Sequence, residues 1–206
     1  FAQTYVVGES LNIQKLYHFT GLNSATGLYE YEDVNGDGIL SSIDDRQTIV
    51  DFTPDYFGGL QNQFTYKQLQ LDFLFQFVKQ NKLDFRTVVP GVAQNQTPDV
   101  LDYWQQPGDT AQHQQLTTGL NSDVVNAYYK FGESDGAVVD GSYIRLKNIS
   151  LTYDVPLATK SLRCRLYLQG QNLLTFTNFK GGDPESRLNG YLPPLKFYTA
   201  GVQLTF

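Results

Sequence analysis

The last ten residues of the chain alternate strictly between apolar and polar positions. One phase holds Tyr198, Ala200, Val202, Leu204 and Phe206, and the other holds Thr199, Gly201, Gln203 and Thr205. A period of two with an aromatic residue at each end is typical of a strand that has one face in lipid and the other in a polar lumen. The pattern predicts a membrane-spanning strand over residues 197–206.

The same alternation predicts a hairpin over residues 57–80. One phase of its second arm holds Leu69, Leu71, Phe73, Phe75 and Phe77, and the other holds Gln70, Asp72 and Gln76. In a soluble protein an apolar face of this size needs a covering layer of protein, whereas in a membrane the lipid covers it. The turn between the arms, around residues 66–68, is predicted to be short.

A second hairpin is predicted over residues 143–173. Its return arm has Leu162, Cys164, Leu166 and Leu168 on one face, and Arg163, Arg165, Tyr167, Gln169 and Gln171 on the other. An arginine costs about 2–4 kcal/mol near the bilayer midplane, so this second face is predicted to line a wet lumen. We expect the two arginines to pair with an acid such as Asp72. The outgoing arm changes phase near Lys147 and Asn148, which predicts a β-bulge or the point where the strand leaves the bilayer.

These patterns predict an all-β fold. Two weaker strands around Gly8–Ser10 bring the total to about seven antiparallel strands, which would form the C-terminal portion of a large transmembrane β-barrel with long extracellular loops. If the C-terminus is periplasmic, the connections 20–55, 81–141 and 174–196 all fall on the extracellular side. Single-chain bacterial barrels have an even number of strands, and the chain has no Met. We therefore expect further strands upstream of residue 1.

Composition and charge narrow the class of protein and the kinds of partner. Only 17% of the residues are charged, against roughly 25% in soluble domains, and the sequence has no run of about 18 apolar residues that would predict a transmembrane helix. The net charge of −6 argues against a nucleic-acid partner. Cys164 is the only cysteine, so it forms no internal disulfide and is expected to be buried or lipid-facing.

Seven of the 21 acidic residues lie between positions 30 and 51 and predict a local cation site. Within this segment, residues 33–44 match the twelve-position calcium loop: oxygen ligands at positions 1, 3 and 5, a glycine at 6, a backbone carbonyl at 7 and an acid at 12. The predicted ligands are Asp33, Asn35, Asp37, Ile39 through its carbonyl, and Asp44, with Asp45 as an alternative for the last position. The competing interpretation is a hairpin turn with solvated acids.

Other candidate sites are weaker. Tyr103 and Trp104 are possible substrate-binding residues, because aromatic rings can stack on a sugar, but packing of their loop on itself is the favoured interpretation. His18 and His113 have no Ser, Cys or acid at a spacing that indicates a catalytic triad, so we expect structural or surface roles for both. No motif predicts an enzyme.

Several motifs together resemble one known family. The segments Tyr31–Gly38 (YEDVNGDG), Asp140–Tyr153 (DGSYIRLKNISLTY) and Leu168–Phe176 (LQGQNLLTF), followed by the closing strand, resemble the late barrel of SusC/RagA-like TonB-dependent transporters and occur in the family's order. The resemblance covers nearly the whole chain. It implies a location in the Gram-negative outer membrane, in a plugged barrel of the 22-stranded class.

The resemblance also implies a function and partners. A SusC/RagA-like transporter imports oligosaccharides or peptides together with a SusD-like surface lipoprotein. It draws energy from the TonB complex through an N-terminal part, and both that part and the family's plug domain are absent from this sequence. The alternative hypothesis is a free-standing, calcium-stabilised β-domain that binds glycan. The run Leu69–Phe77 discriminates between the two, because it faces lipid in a transporter and must be covered by protein in a soluble domain.

Overall fold

The structure, a computed structural model, describes residues 4–84, 88–158, 162–186 and 192–206. In these ranges the chain forms strands, one α-helix and two short 3₁₀ turns at Pro98–Leu101 and Asp135–Ala137. The strands and the helix are, in chain order, β1 (Ile13–Leu16), β2 (Phe19–Leu22), β3 (Tyr29–Tyr31), β4 (Thr48–Asp51), β5 (Tyr56–Tyr66), β6 (Leu69–Lys79), β7 (Asn81–Leu83), α1 (Ser122–Phe131), β8 (Val138–Asp140), β9 (Tyr143–Val155), β10 (Arg163–Thr177) and β11 (Phe197–Thr205).

Contacts divide the chain into two compact units. One unit comprises the residues up to Thr53 together with Asn81–Val139, and the other comprises Pro54–Gln80 together with Asp140–Phe206. Every long strand predicted from the sequence lies in the second unit. The predicted connections 20–55 and 81–141 supply most of the first unit, which is therefore not a set of structureless loops.

The second unit is an open antiparallel sheet with the strand order β11-β10-β9-β6-β5. Both predicted hairpins and the predicted terminal strand are confirmed. The turn between β5 and β6 consists of Lys67 and Gln68, and Lys67 adopts a left-handed conformation with φ of 55°. The turn between β9 and β10 was predicted to run through Lys160, and residues 159–161 lie outside the described ranges. These are five of the roughly seven strands that the sequence predicted for the barrel wall.

The register of the sheet aligns the apolar phases of neighbouring strands. Leu71, Leu151, Leu168 and Ala200 form one cross-strand row, and Leu69, Tyr153, Leu166 and Val202 form the next. Large side chains on this face stay exposed to a degree that a soluble core would not allow: 58% for Leu168 and 62% for Val202. The opposite face of the same strands carries amides, hydroxyls and the charged side chains. We call these the apolar face and the polar face.

A β-bulge at Lys147 accounts for the predicted change of phase in β9. Leu74 of β6 pairs with Asn148, and the next residue, Phe75, pairs with Leu146, so Lys147 is the extra residue. The strand β10 is also irregular at this level, and Asn172 adopts a left-handed φ of 53°. A bulge shifts the alternation by one residue. Arg145 consequently lies on the polar face, in line with Gln76 and Thr175.

The N-terminal strands differ from the prediction. Two strands were expected around Gly8–Ser10, but the described residues 4–10 form turns, and the first strands are β1 and β2. These strands do not extend the five-stranded sheet, because β1 pairs with β4 and β2 pairs with β3. The short polar stretch around Gly8 has turn-forming residues and little apolar alternation, which explains why the strands begin later.

The core of the first unit is mainly aromatic. Tyr17, Tyr29, Tyr31 and Tyr128 are buried together, and Tyr31 donates from its hydroxyl to the Ala127 carbonyl over 2.6 Å. Burial raises the pKa of the Tyr29 and Tyr31 phenols above their ordinary value of 10. The hydroxyls therefore stay protonated as donors in this core.

The helix α1 was not predicted from the sequence. Asn121 caps its N-terminus by accepting from the backbone N–H groups of Asp123 and Val124. Val124 and Tyr128, four residues apart, form its buried face. Among the described residues, no helix has the length and apolar character needed to cross a membrane.

Candidate functional site

The predicted calcium loop is an ordered turn held by its own side chains. The two carboxylate oxygens of Asp33 accept from the backbone N–H groups of Gly36 and Gly38, each over 2.7 Å. Asn35 accepts from the N–H of Asp37, and Asp37 accepts from the N–H of Ile39. Gly36 and Gly38 adopt φ of 71° and 81°, which favours glycine at both positions. The sequence spacing therefore produces a tight loop held by side-chain-to-backbone hydrogen bonds.

Asp44 and Asp45 have different roles in this loop. Asp45 is 1% exposed, and its carboxylate accepts from the N–H groups of Val34 and Ser41 over 2.9 and 2.6 Å. It therefore ties the beginning of the loop to its end. Asp44 is exposed and accepts from the Ser41 hydroxyl over 2.9 Å. Of the two acids proposed for position 12, Asp44 is the one still open to solvent.

The donor set of the loop fits a hard cation in its chemistry, because every predicted ligand offers oxygen. In the structure the side-chain oxygens of Asp33 and Asn35 and one oxygen of Asp37 accept from backbone N–H groups, and the other oxygen of Asp37 accepts from the Asn35 side-chain amide. Among the described residues, no group of three or more His, Cys, Asp or Glu side chains converges as a metal site. Calcium binding at Asp33, Asn35, Asp37, Ile39 and Asp44 accordingly stays a prediction.

The two aromatic candidates, Tyr103 and Trp104, pack against their own surroundings. The indole N–H of Trp104 donates to the Ser24 carbonyl over 3.0 Å, and its ring lies against Gly27, where a Cβ atom would overlap it. The backbone of Tyr103 forms an isolated parallel β-bridge with the backbone of His113. Both side chains are half-buried. These contacts agree with packing of the loop, and sugar stacking stays a prediction.

Both histidines pair with carboxylates. His18 lies 2.7 Å from Asp135, whose other oxygen accepts from the backbone N–H of Phe19. The hydrogen bond to Asp135 raises the pKa of the His18 imidazole above its ordinary value of 6.5. His113 lies 3.4 Å from Asp99. These pairs agree with the structural roles expected for the two histidines.

The polar face of the sheet carries ion pairs at two levels. Arg165 donates to Asp154 over 2.6 Å, so it pairs with an acid across the strands as expected, but the acid is Asp154 on the adjacent strand and not Asp72, the example given in the prediction. Asp72 instead accepts from Gln70 over 2.8 Å. Register decides the outcome: Arg165 pairs with Asp154, whereas Asp72 lies on β6, beyond β9 in the strand order.

The comparisons with known proteins agree with this geometry. No family model matches the sequence. The chain is 32% identical over 198 residues to TonB-dependent receptor P3 of Formosa agariphila, an alignment that covers 85% of the chain and 19% of the receptor. The chain belongs to the TonB-dependent receptors. It spans about a fifth of the length of this relative.

Solved structures lead to the same family. The fold matches the RagAB peptide importer in its open-open state with a TM-score of 0.71 at 25% identity, over 93% of this chain and 22% of that one. A second structure of the RagAB peptide transporter matches with a TM-score of 0.70 at 27% identity and the same coverage. TonB-dependent receptors are outer-membrane β-barrels that transport, and the expectation that the chain is not an enzyme is confirmed by these relatives.

The receptor wall contains one charged cluster that the sequence analysis missed. Arg145 is 1% exposed and donates to Asp183 over 2.5 Å and to Glu185 over 2.6 Å. Lys147 donates to the same Glu185 carboxylate at 2.8 Å to each oxygen. We call these four residues the Arg145 cluster. It fastens the described residues 183–185 of the loop after β10 to the polar face.

One sequence signal could have revealed this cluster. Arg145 and Lys147 share one phase of β9 with Tyr143 and have no acid beside them in that phase, and a buried arginine requires acidic partners. The turn containing Asp183 and Glu185 offers two acids within three residues. Nothing in the spacing, however, indicates that a connection predicted to project outward folds back on the strand.

Proposed function

We propose that this chain forms part of the wall of a SusC/RagA-type outer-membrane transporter that imports oligosaccharides or peptides. The observation that carries the proposal is the five-stranded sheet, which has a broad, exposed apolar face and a polar face with paired charges. Such a sheet suits a wall between lipid and a wet lumen. The likeness to the RagAB peptide importer supports transport of a similar kind.

The proposed orientation follows the predicted one. The apolar face lies against outer-membrane lipid, the polar face lies against the lumen, and the C-terminus is periplasmic. The long connections are then extracellular, including the one that contains residues 33–45. A SusD-like surface lipoprotein and the TonB complex are the proposed partners, the latter through a part of the receptor outside this chain. Both partners are inferred from the family resemblance.

We also propose that the loop binds a structural calcium ion. Asp33, Asn35, Asp37, Asp44 and the Ile39 carbonyl would hold the ion, while Asp45 keeps the backbone of the loop closed. Calcium would fix the shape of the loop and would take no part in chemistry. Extracellular modules of this type bind calcium at roughly 10⁻⁴–10⁻³ M, which is an accessible concentration outside the cell.

A matched pair of substitutions on β10 tests whether the apolar face of the sheet lies against lipid. Leu168→Arg puts a charge on the apolar face, and Gln169→Arg puts the same charge on the polar face one residue away. In lipid the first change costs about 2–4 kcal/mol near the midplane and the second costs little. We expect Leu168→Arg to lower the amount of heat-modifiable, folded receptor in the outer membrane, and Gln169→Arg to leave it unchanged.

Equal amounts of the two folded variants would refute a lipid-facing wall. The two hypotheses about function differ in what covers the apolar face. A free-standing β-domain must cover Leu168 with protein, so recovery of the unmodified chain as a folded monomer in detergent-free buffer would refute the transporter wall. Substrate class is tested by uptake of labelled neutral oligosaccharides and peptides in a strain that lacks the receptor, with and without the restored gene. Uptake of neither class through the restored receptor would refute the proposed import.

A further inference from the structure

The bulge in β9 creates a concavity on the polar face of the sheet. A cavity of about 400 Å³ lies there, with the backbone of Gly59 at one side. Its polar lining comes from Gln76, Lys147, Asn148, Gln171 and Asn172. We call it the bulge pocket. Four of its five polar side chains are carboxamides, each of which offers both donors and an acceptor.

Several of these amides are available to a ligand. The Oε1 atom of Gln76 is shielded from solvent and has no hydrogen-bond partner among the described residues. Asn148 and Gln171 are exposed side chains on neighbouring strands and occupy paired positions. Within the described ranges, Asn172 is the one of these amides with a hydrogen bond to the protein, because its side-chain nitrogen donates to the Leu195 carbonyl over 3.2 Å. A buried acceptor without a partner is costly, which favours a ligand or water at this place.

The charge of the pocket is cancelled by the Arg145 cluster. The ammonium group of Lys147 is held by both oxygens of Glu185. Glu185 is fixed in turn by Arg145, whose other terminal nitrogen binds Asp183. Two positive and two negative side chains therefore sum to zero. Glu185 is the group that removes the charge of Lys147 from the pocket lining.

We propose that the bulge pocket is a subsite for a neutral polar ligand and that Glu185 sets this preference by neutralising Lys147. The ligand chemistry is that of adjacent uncharged donors and acceptors, as found on a sugar ring with neighbouring hydroxyls or on a peptide amide. This inference rests on the proposed function, because such a ligand reaches the polar face through the lumen. An anionic ligand meets no free positive charge in the pocket and is not favoured.

The local charge can be measured in the full-length receptor by thiol labelling. Gln171→Cys is introduced together with Cys164→Ser and treated with methanethiosulfonate reagents of opposite charge, ethylsulfonate and ethyltrimethylammonium. Adding Glu185→Gln should raise the ratio of anionic to cationic labelling rates roughly tenfold, because one unit charge a few ångströms away becomes unpaired. Adding Lys147→Gln to that variant should restore the original ratio.

A matched control separates a local effect from a general one. Thr199→Cys lies on the same face but outside the pocket, and its labelling ratio should change little. Heat modifiability confirms that each variant is folded. If Gln171→Cys resists both reagents while Thr199→Cys reacts, the pocket is filled by the rest of the receptor and the proposal is wrong. An unchanged ratio in the Glu185→Gln variant also overturns it.

Ligand protection identifies the class of ligand. Maltohexaose and a neutral hexapeptide are each added during labelling of Gln171→Cys in purified receptor, with an oligogalacturonate as the anionic counterpart. Slower labelling with one neutral probe and not with the anionic one is expected. Protection by neither neutral probe, or by the anionic probe alone, refutes the subsite. The labelling assay needs no TonB energy and is independent of uptake. Uptake without protection would refute the subsite alone, whereas absence of uptake would refute the proposed import.

Discussion

The ring of Tyr167 on β10 covers Gly201 on β11 across the strand pair. The two residues are register partners, and a Cβ atom built at Gly201 would overlap the phenol ring. The ring occupies the space that a side chain would fill, on the polar face near the end of the sheet. Glycine within a strand often marks such a close approach, and aromatic cover of a glycine on an edge strand compensates for its missing side chain.

This contact predicts that Gly201→Ala destabilises the receptor through Tyr167. Forcing a methyl group into occupied space costs about 1–3 kcal/mol, so we expect a lower midpoint of urea unfolding. In a Tyr167→Ala background the same Gly201→Ala change should cost much less, since the obstacle is gone. Gly59→Ala on β5 is the control, because its nearest neighbours stand 3.4 Å from the new Cβ. Equal losses in Gly201→Ala and Gly59→Ala would contradict the role of Tyr167.

The two paired arginines of the polar face should differ strongly in their contribution to stability. Arg145 is 1% exposed, so Arg145→Ala leaves Asp183 and Glu185 without their main partner and should cost about 3–5 kcal/mol. Arg165 and Asp154 are each about half exposed, and Arg165→Ala should cost less than about 1 kcal/mol. Urea unfolding of the two variants checks the difference. Equal losses would show that burial does not decide the strength of these pairs.

The alternation of apolar and polar residues was sufficient to predict the sheet, because lipid-facing strands have an unusually regular sequence pattern. The run Leu69–Phe77 has five large apolar side chains in one phase, and the phase change at Lys147 marks the bulge within one residue. The sequence of the first unit has no such regular pattern. Its short strands have three or four residues, and its helix buries only Val124 and Tyr128, too little periodicity to predict either.

The candidate sites were less accessible to sequence reasoning. The calcium-loop spacing correctly indicated a tight turn, but it could not distinguish Asp44, which is exposed, from Asp45, which is buried and bonded to the backbone. The Arg145 cluster joins residues about 40 positions apart through a loop that folds back on its own sheet. A contact of that kind depends on tertiary structure, and the local pattern carries no sign of it.

Trp104 should act as a structural support for the turn at Gly27. Gly27 adopts φ of 68°, and a Cβ atom there would overlap the indole. Gly27→Ala is therefore expected to displace Trp104 and to break its hydrogen bond to Ser24, which increases proteolytic cleavage within residues 99–116 of the receptor. Gly36→Ala is a suitable control, because it has a similar φ of 71° and open space around it. Equal cleavage of this segment in both variants would show that Trp104 does not support the turn at Gly27.

Substitutions of the two acids Asp44 and Asp45 should respond differently to calcium. Asp45→Asn weakens the two backbone bonds that close the loop at a cost of about 1–3 kcal/mol, so cleavage within residues 30–50 should rise whether or not calcium is present. Asp44→Asn removes a proposed ligand that is exposed and accepts from the Ser41 hydroxyl, a bond that asparagine can keep. Its cleavage should therefore match the unmodified receptor in chelator and exceed it in millimolar calcium. If the unmodified loop is cleaved equally fast in calcium and in chelator, the proposed calcium ion is excluded.

The pair of His18 and Asp135 predicts a pH-dependent contact. Asp135 raises the pKa of His18 above 6.5, chiefly through their 2.7 Å hydrogen bond and with a smaller contribution from Glu32. Since the folded pKa exceeds the unfolded value, the pair stabilises the fold fully below the unfolded pKa, and the contribution is lost as pH rises through the folded pKa. Carbethoxylation of His18, followed by peptide mass spectrometry across pH, measures its protonation in the receptor. The midpoint should lie above 6.5, fall most in Asp135→Asn and fall less in Glu32→Gln. A midpoint that Asp135→Asn leaves unchanged would mean that the two groups are not paired in the receptor.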